Sequence, residues 1–126
     1  MKSFIVAILI LALMIAGFAG NYYYLNNVVN DMCASLDQLK DYVKIGNWED
    51  AKGEYKKVSK SWDDVGYLML MLSNHTDTNK IAECMIKIRE AITYENEEDA
   101  VPEIEFCKML ALDMLRKEQL TFVNVF

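Results

Sequence analysis

Apolar residues are distributed along this chain in two regimes. From Phe4 to Ala19 sixteen residues pass without one charge, and the run is apolar on every face of a helix, so it is not a one-sided core helix. Beyond it, apolar positions recur every three or four residues, the helical period. Leu25, Val28, Met32, Leu36, Leu39 and Val43 carry the pattern to about Lys44, with Asp31, Asp37, Lys40 and Asp41 on the other face. Gly46-Asn47 stops this first helix, because either residue tolerates the left-handed conformation that ends helices.

A second helix is expected from Asn47 as N-cap, with Glu49 and Asp50 at the positive end of its dipole. Its stripe is Trp48, Ala51, Tyr55, Val58, Trp62 and Val65, and from Tyr67 to Leu72 it becomes apolar all round. Ser73 to Asp77 reads as the break. A third helix is predicted from about Thr78 to Tyr94, with Ile81, Met85, Ile88 and Ile92 inward. The fourth starts at Asn96 to Asp99 and reaches about Lys117, Pro102 forcing a late or kinked start. Leu120 to Phe126 is left as an apolar tail.

The two halves repeat. Glu49-Asp50-Ala51 recurs as Glu98-Asp99-Ala100, and at that same offset of 49 residues Met32, Leu36, Leu39 and Val43 fall on Ile81, Met85, Ile88 and Ile92. Tyr55, Val58, Trp62 and Val65 fall on Ile104, Cys107, Ala111 and Met114. A matching apolar register predicts two similar helical hairpins. The fold class is therefore all-α: an N-terminal transmembrane helix over residues 1–25, continuing into an antiparallel four-helix domain over residues 26–126.

The apolar run sets the compartment. Sixteen residues make roughly 24 Å of helix against a hydrocarbon layer of roughly 30 Å, and continuation through Tyr22, Tyr23, Tyr24 and Leu25 makes up the difference. Tyrosines suit the membrane interface, where the ring is buried and the hydroxyl stays wet. Lys2 is the only positive residue before Lys40, so the amino terminus is expected in the cytoplasm and the domain outside it, on a single-pass anchor in the cell membrane. A cleaved signal peptide is the rival reading, with Gly17-Phe18-Ala19 as its small-residue site. The unbroken pattern Tyr22, Leu25, Val29, Met32 favours the anchor.

Composition adds little to this frame. One Pro, five Gly and a net charge of −6 fit a helical domain, and argue against nucleic-acid binding through phosphate contacts, which requires clustered Lys and Arg. No nucleophile elbow, glycine-rich phosphate loop or paired metal motif is present, so neither an enzyme nor a cofactor is expected. His75, the single histidine, reads as a loop residue without companion ligands. The acids Glu49, Asp50, Glu95, Glu97, Glu98 and Asp99 read as helix starts and lack the alternating ligands of a calcium loop. Cys33, Cys84 and Cys107 should stand in nearly one layer, as free buried thiols, as a Cys84–Cys107 bridge or as a three-thiolate metal site, the first being favoured.

Two resemblances can be placed on particular residues. Gly46 to Ala51 with Tyr55 and Val58 is similar to the second helix of a tetratricopeptide unit, although Asp31 to Lys44 lacks the first-helix Trp-x-x-Leu-Gly; this implies a shared packing solution. Gly46 to Ala51, Trp62 and Leu120 to Val125 resemble a bacterial family of roughly 120-residue functionally uncharacterised proteins. That family has an N-terminal apolar segment, a Gly-(Asn/Asp)-Trp-Glu-x-Ala turn and a Leu-Thr-x-x-Asn-(Val/Ile) ending. The resemblance implies the fold and the compartment, with genes that can neighbour one for a small multi-pass membrane protein, but no reaction.

Antiparallel helices would then place Tyr22, Tyr23, Tyr24, Tyr67, Leu70, Met71, Phe122 and Phe126 at the membrane end, an apolar patch suited to a lipid or protein contact. The expected function is a non-enzymatic interaction module that meets the lipid bilayer and a membrane protein partner. The alternative is a small-ligand or ion-binding protein, or a hydrolase, using a cavity between the hairpins.

Overall fold

The computed structural model describes residues 1–72 and 75–125, with side chains described for all of these except 66–72, 75–77, 118–119 and 121–125. It consists of α1 (Lys2–Lys44), α2 (Trp48–Leu72), α3 (His75–Thr93) and α4 (Glu97–Val125), with no strand among the described residues. The predicted stripes form its core. On α1, Leu25, Met32, Leu36, Leu39 and Val43 are buried together with Val29 and Cys33, while Val28 is half-buried. Ala51, Val58, Trp62 and Val65 close over them from α2. Ile81, Met85, Ile88 and Ile92 on α3 and Ile104, Cys107, Ala111 and Met114 on α4 complete the interior. Removing one such side chain from water stabilises by roughly 1.5–3 kcal/mol, so the stripe outweighs helix propensity in fixing the fold.

Both hairpin turns are built alike. Gly46 has φ 76° and Glu95, at the same offset of 49, has φ 53°. Around each, a pair of backbone bonds closes the helix end: Gly46 N–H to Val43 O at 3.1 Å and Asn47 N–H to Tyr42 O at 2.9 Å, then Glu95 N–H to Ile92 O at 3.1 Å and Asn96 N–H to Ala91 O at 2.8 Å. These are Schellman closures, which satisfy carbonyls that the helix leaves open. Asn47 and Asn96 next cap the following helices, accepting from the backbone N–H groups of Asp50 and Asp99, each at 3.3 Å. Glutamate in the left-handed region strains the backbone where glycine does not. Glu95→Gly should therefore stabilise the domain by about 0.5–1 kcal/mol, and Gly46→Ala should destabilise it by about 1 kcal/mol, as read from urea midpoints.

Three boundaries differ from expectation. Pro102 does not delay α4, which begins at Glu97 with Pro102 inside it; the Asn96 cap and three first-turn acids outweigh the one hydrogen bond that proline removes. His75 is the first residue of α3 and not a loop residue, since a polar run also suits the first turn of a helix. Residues 120–125 are helical and not a separate tail, because no Gly or Pro follows Pro102 to end the helix.

In the bundle α1 packs against α2 and α4, and α3 against α4 and more lightly α2. The α1–α4 seam carries two crossed ion pairs: Lys108 Nζ donates to both Asp37 oxygens at 2.9 and 3.0 Å, and Lys40 pairs with Glu105. Hydrogen bonds to these carboxylates hold both ammonium groups above their ordinary pKa.

Candidate functional site

The apolar end starts where α1 stops burying side chains. Residues 1–21 are exposed throughout, Tyr22 is half-buried, and Tyr23 and Tyr24 are exposed, Tyr23 by 69%. Leu25 is the first core residue, so the apolar segment and the domain share one unbroken helix. This is the one helix among the described residues that is long and apolar enough to cross a membrane, and none of its apolar window is buried. The backbones of Tyr67, Leu70, Met71 and Phe122 lie in α2 and α4; their side chains, and all of Phe126, lie outside the described residues.

The aromatic stripe of α2 belongs to the core. Trp62 is 8% exposed, and Trp48 and Tyr55 are half-buried against the buried cluster. Tyr55 donates its hydroxyl to Met85 O at 3.0 Å, fastening α2 to α3. Burial above all pushes its phenol pKa up.

Cys33, Cys84 and Cys107 are all buried and free. Cys107 Sγ lies 3.9 Å from Met85 Sδ. Burial, then the neighbouring Cys84 and Cys33, push the Cys107 thiol up to about 12; burial and the Glu103 carboxylate push Cys84 up to about 11. Burial also raises Cys33. Thiols held protonated in a core are poor nucleophiles. In non-reducing denaturant a thiol reagent at pH 8 should count three groups, and the native protein should react many-fold more slowly; a count of one would mean a bridge. Among the described residues no group of three or more His, Cys, Asp or Glu side chains is arranged to hold a metal. The acids at the hairpin turns, Glu49, Asp50, Glu95, Glu97, Glu98 and Asp99, are exposed. Asp50 and Asp99 accept from the Asn47 and Asn96 side-chain amides at 2.6 and 2.8 Å.

Two carboxylates escaped the sequence reading. Glu54 is buried and Glu103 half-buried, and one oxygen of each, Oε2, is buried without a hydrogen-bond partner. They are repeat mates, again 49 residues apart; overlaying the two halves in full would have paired them. Glu54 has Lys57 Nζ at 3.6 Å, whereas the mate of Lys57 is Phe106. Glu103 also lines an open cleft of about 520 Å³ between α3 and α4, together with Ile86, Lys87, Glu90, Ala91, Tyr94 and Pro102, at the turn end of the hairpin. This cleft lies within the second hairpin and not between the two hairpins.

Together these elements define an all-α four-helix protein whose first helix is long and apolar toward its amino terminus. The chain belongs to the family described as a domain of unknown function, DUF4363, whose model matches residues 19–125. No curated protein matches it, and no solved structure does.

Proposed function

We propose that this chain is a non-enzymatic interaction module anchored in the cell membrane, with its amino terminus cytoplasmic, its domain on the outer face, and a membrane protein as partner. The observation that carries the reading is the continuity of α1. An uncovered apolar helix runs without a break into the core helix of the domain, so whatever holds the span also holds the domain beside the bilayer. From Lys2 to Tyr24 the helix measures about 35 Å, enough for the hydrocarbon layer with some tilt. The two hairpin turns, with their acids, lie at the opposite end from Tyr22 to Tyr24. The backbones of Tyr22, Tyr23, Tyr24, Tyr67, Leu70, Met71 and Phe122 lie toward the end away from those turns, and with Phe126 these residues make up the contact surface of this reading.

Photo-crosslinking in native membranes tests it. A photoreactive residue at Tyr23 or Leu120 should give one discrete adduct with a membrane protein, and one at Glu98 should give none. Replacing Phe122 and Phe126 by serine should weaken the adduct at least several-fold while leaving the cooperative melt in place. Mature protein that begins at Gly20 and partitions into the soluble fraction would sink the proposal, as would equal labelling from both ends.

A further inference from the structure

Helix α4 is apolar on two opposite faces. Its inner stripe, Ile104, Cys107, Ala111 and Met114, belongs to the core, whereas Phe106, Met109 and Leu112 on the other side are exposed, Met109 by 49%. The corresponding positions of α2, 49 residues earlier, are Lys57, Lys60 and Asp63, all exposed. Two helices that hold like places in the two hairpins therefore differ on the outside. One turns charge to water and the other turns apolar side chains. Because α4 meets α1 and α3 with its inner side and flanks, this outer face points away from the bundle.

The exposed seam runs Glu105, Met109, Leu112 and Arg116, and its alternation of longer and shorter steps is the spacing with which one helix packs along another. It is balanced about its midpoint. Met109 and Leu112 flank Leu110 and Ala111, and Glu105 and Arg116 stand one turn further out, an acid at one end and a base at the other. Turned end over end, the seam matches itself: Met109 meets Leu112 of a second copy and Glu105 meets its Arg116, each twice. A parallel pairing would set Glu105 against Glu105 and Arg116 against Arg116, which repels. Both charges are accessible. Glu105 pairs with Lys40 through Oε1 and is half exposed, and Arg116 lies 3.8 Å from Asp113 on its own helix with 72% of its side chain exposed. Exposed pairs of that kind are worth little, so they do not hold these side chains back from a further partner.

We propose that the outer face of α4 pairs two copies of this chain, antiparallel and two-fold, with Met109 and Leu112 at the centre and Glu105–Arg116 contacts at both ends. A few turns of helix make a small interface, so each contact is weak and many acting together give it strength. Helix α1 runs antiparallel to α4, since Asp37 meets Lys108 and Lys40 meets Glu105. End-over-end pairing therefore sends the two apolar leading segments in opposite directions. In an anchored chain the paired copies then sit in two facing membranes. From the pairing centre to the level of Leu25 is roughly 14 Å of helix, so the bilayers stand roughly 30 Å apart. That last step rests on the anchored reading; the pairing itself does not.

Sedimentation of the full-length chain in detergent micelles tests the pairing. Wild type should dimerise reversibly at high protein concentration. Arg116→Glu and Glu105→Arg should each weaken dimerisation about tenfold or more, because each sets like charges together at both ends. The double variant keeps the wild-type net charge, restores opposite charges and should recover to within a few fold. Met109→Lys installs the residue that α2 carries at the same repeat position and should also weaken dimerisation about tenfold or more, since it removes the apolar centre. All four variants change exposed positions and should melt within a few degrees of wild type. Reconstituted into vesicles of zwitterionic lipid, wild type should cluster them with adjoining bilayers roughly 30 Å apart, and Met109→Lys should not. The pairing is overturned if wild type stays monomeric in micelles, if Arg116→Glu dimerises like wild type, or if the folded double variant fails to recover. Dimers in micelles without clustering of vesicles that retain the chain overturn the facing arrangement. A chain that washes off the vesicles while its micelle dimer persists sinks the anchored reading and supports the pairing.

Discussion

Replacing Trp62 by alanine lowers the unfolding free energy by about 3–5 kcal/mol, the usual loss when a buried aromatic side chain is truncated. Trp62 sits on the inner face of α2 in one continuous cluster with Val58 and Val65, and only 8% of its surface remains accessible. The neighbouring helices are held by their own stripes and collapse only partly into the space left behind. Domains of this size are stable by about 5–15 kcal/mol in total, so a loss of this size leaves a marginal fold. Urea unfolding of the full-length chain in micelles, followed by far-UV circular dichroism, measures it. Trp48→Ala is the internal comparison: Trp48 is half-buried at the start of the same helix and should lose clearly less. Equal losses, or a Trp62→Ala midpoint close to wild type, would mean that the α2 stripe is not the core.

The second large effect appears at alkaline pH. Burial pushes the Cys107 thiol from its ordinary value of 9.0 up to about 12. The folded protein therefore keeps a proton that the unfolded chain releases from pH 9 upward. Its stabilisation is complete below pH 9 and is lost progressively as pH rises toward 12, to a total of about 4 kcal/mol, of which about 2–3 kcal/mol is gone by pH 11. Cys84, Tyr55, Lys40 and Lys108 are all raised as well and act in the same direction, so wild type loses more than this one share. Cys107→Ala isolates it: the variant starts somewhat less stable at pH 8 and declines less steeply to pH 11. Parallel declines would mean that Cys107 ionises freely in the folded state.

Much of this fold was legible because its determinants are local. A helix stripe needs only the spacing of Met32, Leu36, Leu39 and Val43, and a Schellman turn needs only bonds five residues or fewer apart, such as Asn47 to Tyr42. Pro102 misled because its ring was weighed against one helix position, while the Asn96 cap and the acids Glu97 to Asp99 act together on the whole first turn. The residues from His75 to Asp77 misled because polarity alone does not separate a loop from a helix start. Glu103 escaped notice because a glutamate near a helix start reads as a dipole partner; nothing on its own helix reveals that one of its oxygens is buried.

The sequence by itself determined four helices, two like hairpins and an apolar leading segment, since periodicity, capping and net hydrophobicity act over one or two turns of chain. The tertiary structure alone decided which helices meet. Asp37 finds Lys108 across 71 residues, closing the first helix on the last, and no local pattern encodes that pairing. It also decided where the repeat breaks: Ala91 in the place of Tyr42 is a small change in composition, and it becomes a cleft only because α4 lays Pro102 and Glu103 beside it. Contacts between distant residues depend on how whole helices pack, and packing is settled by the sum of all the stripes at once.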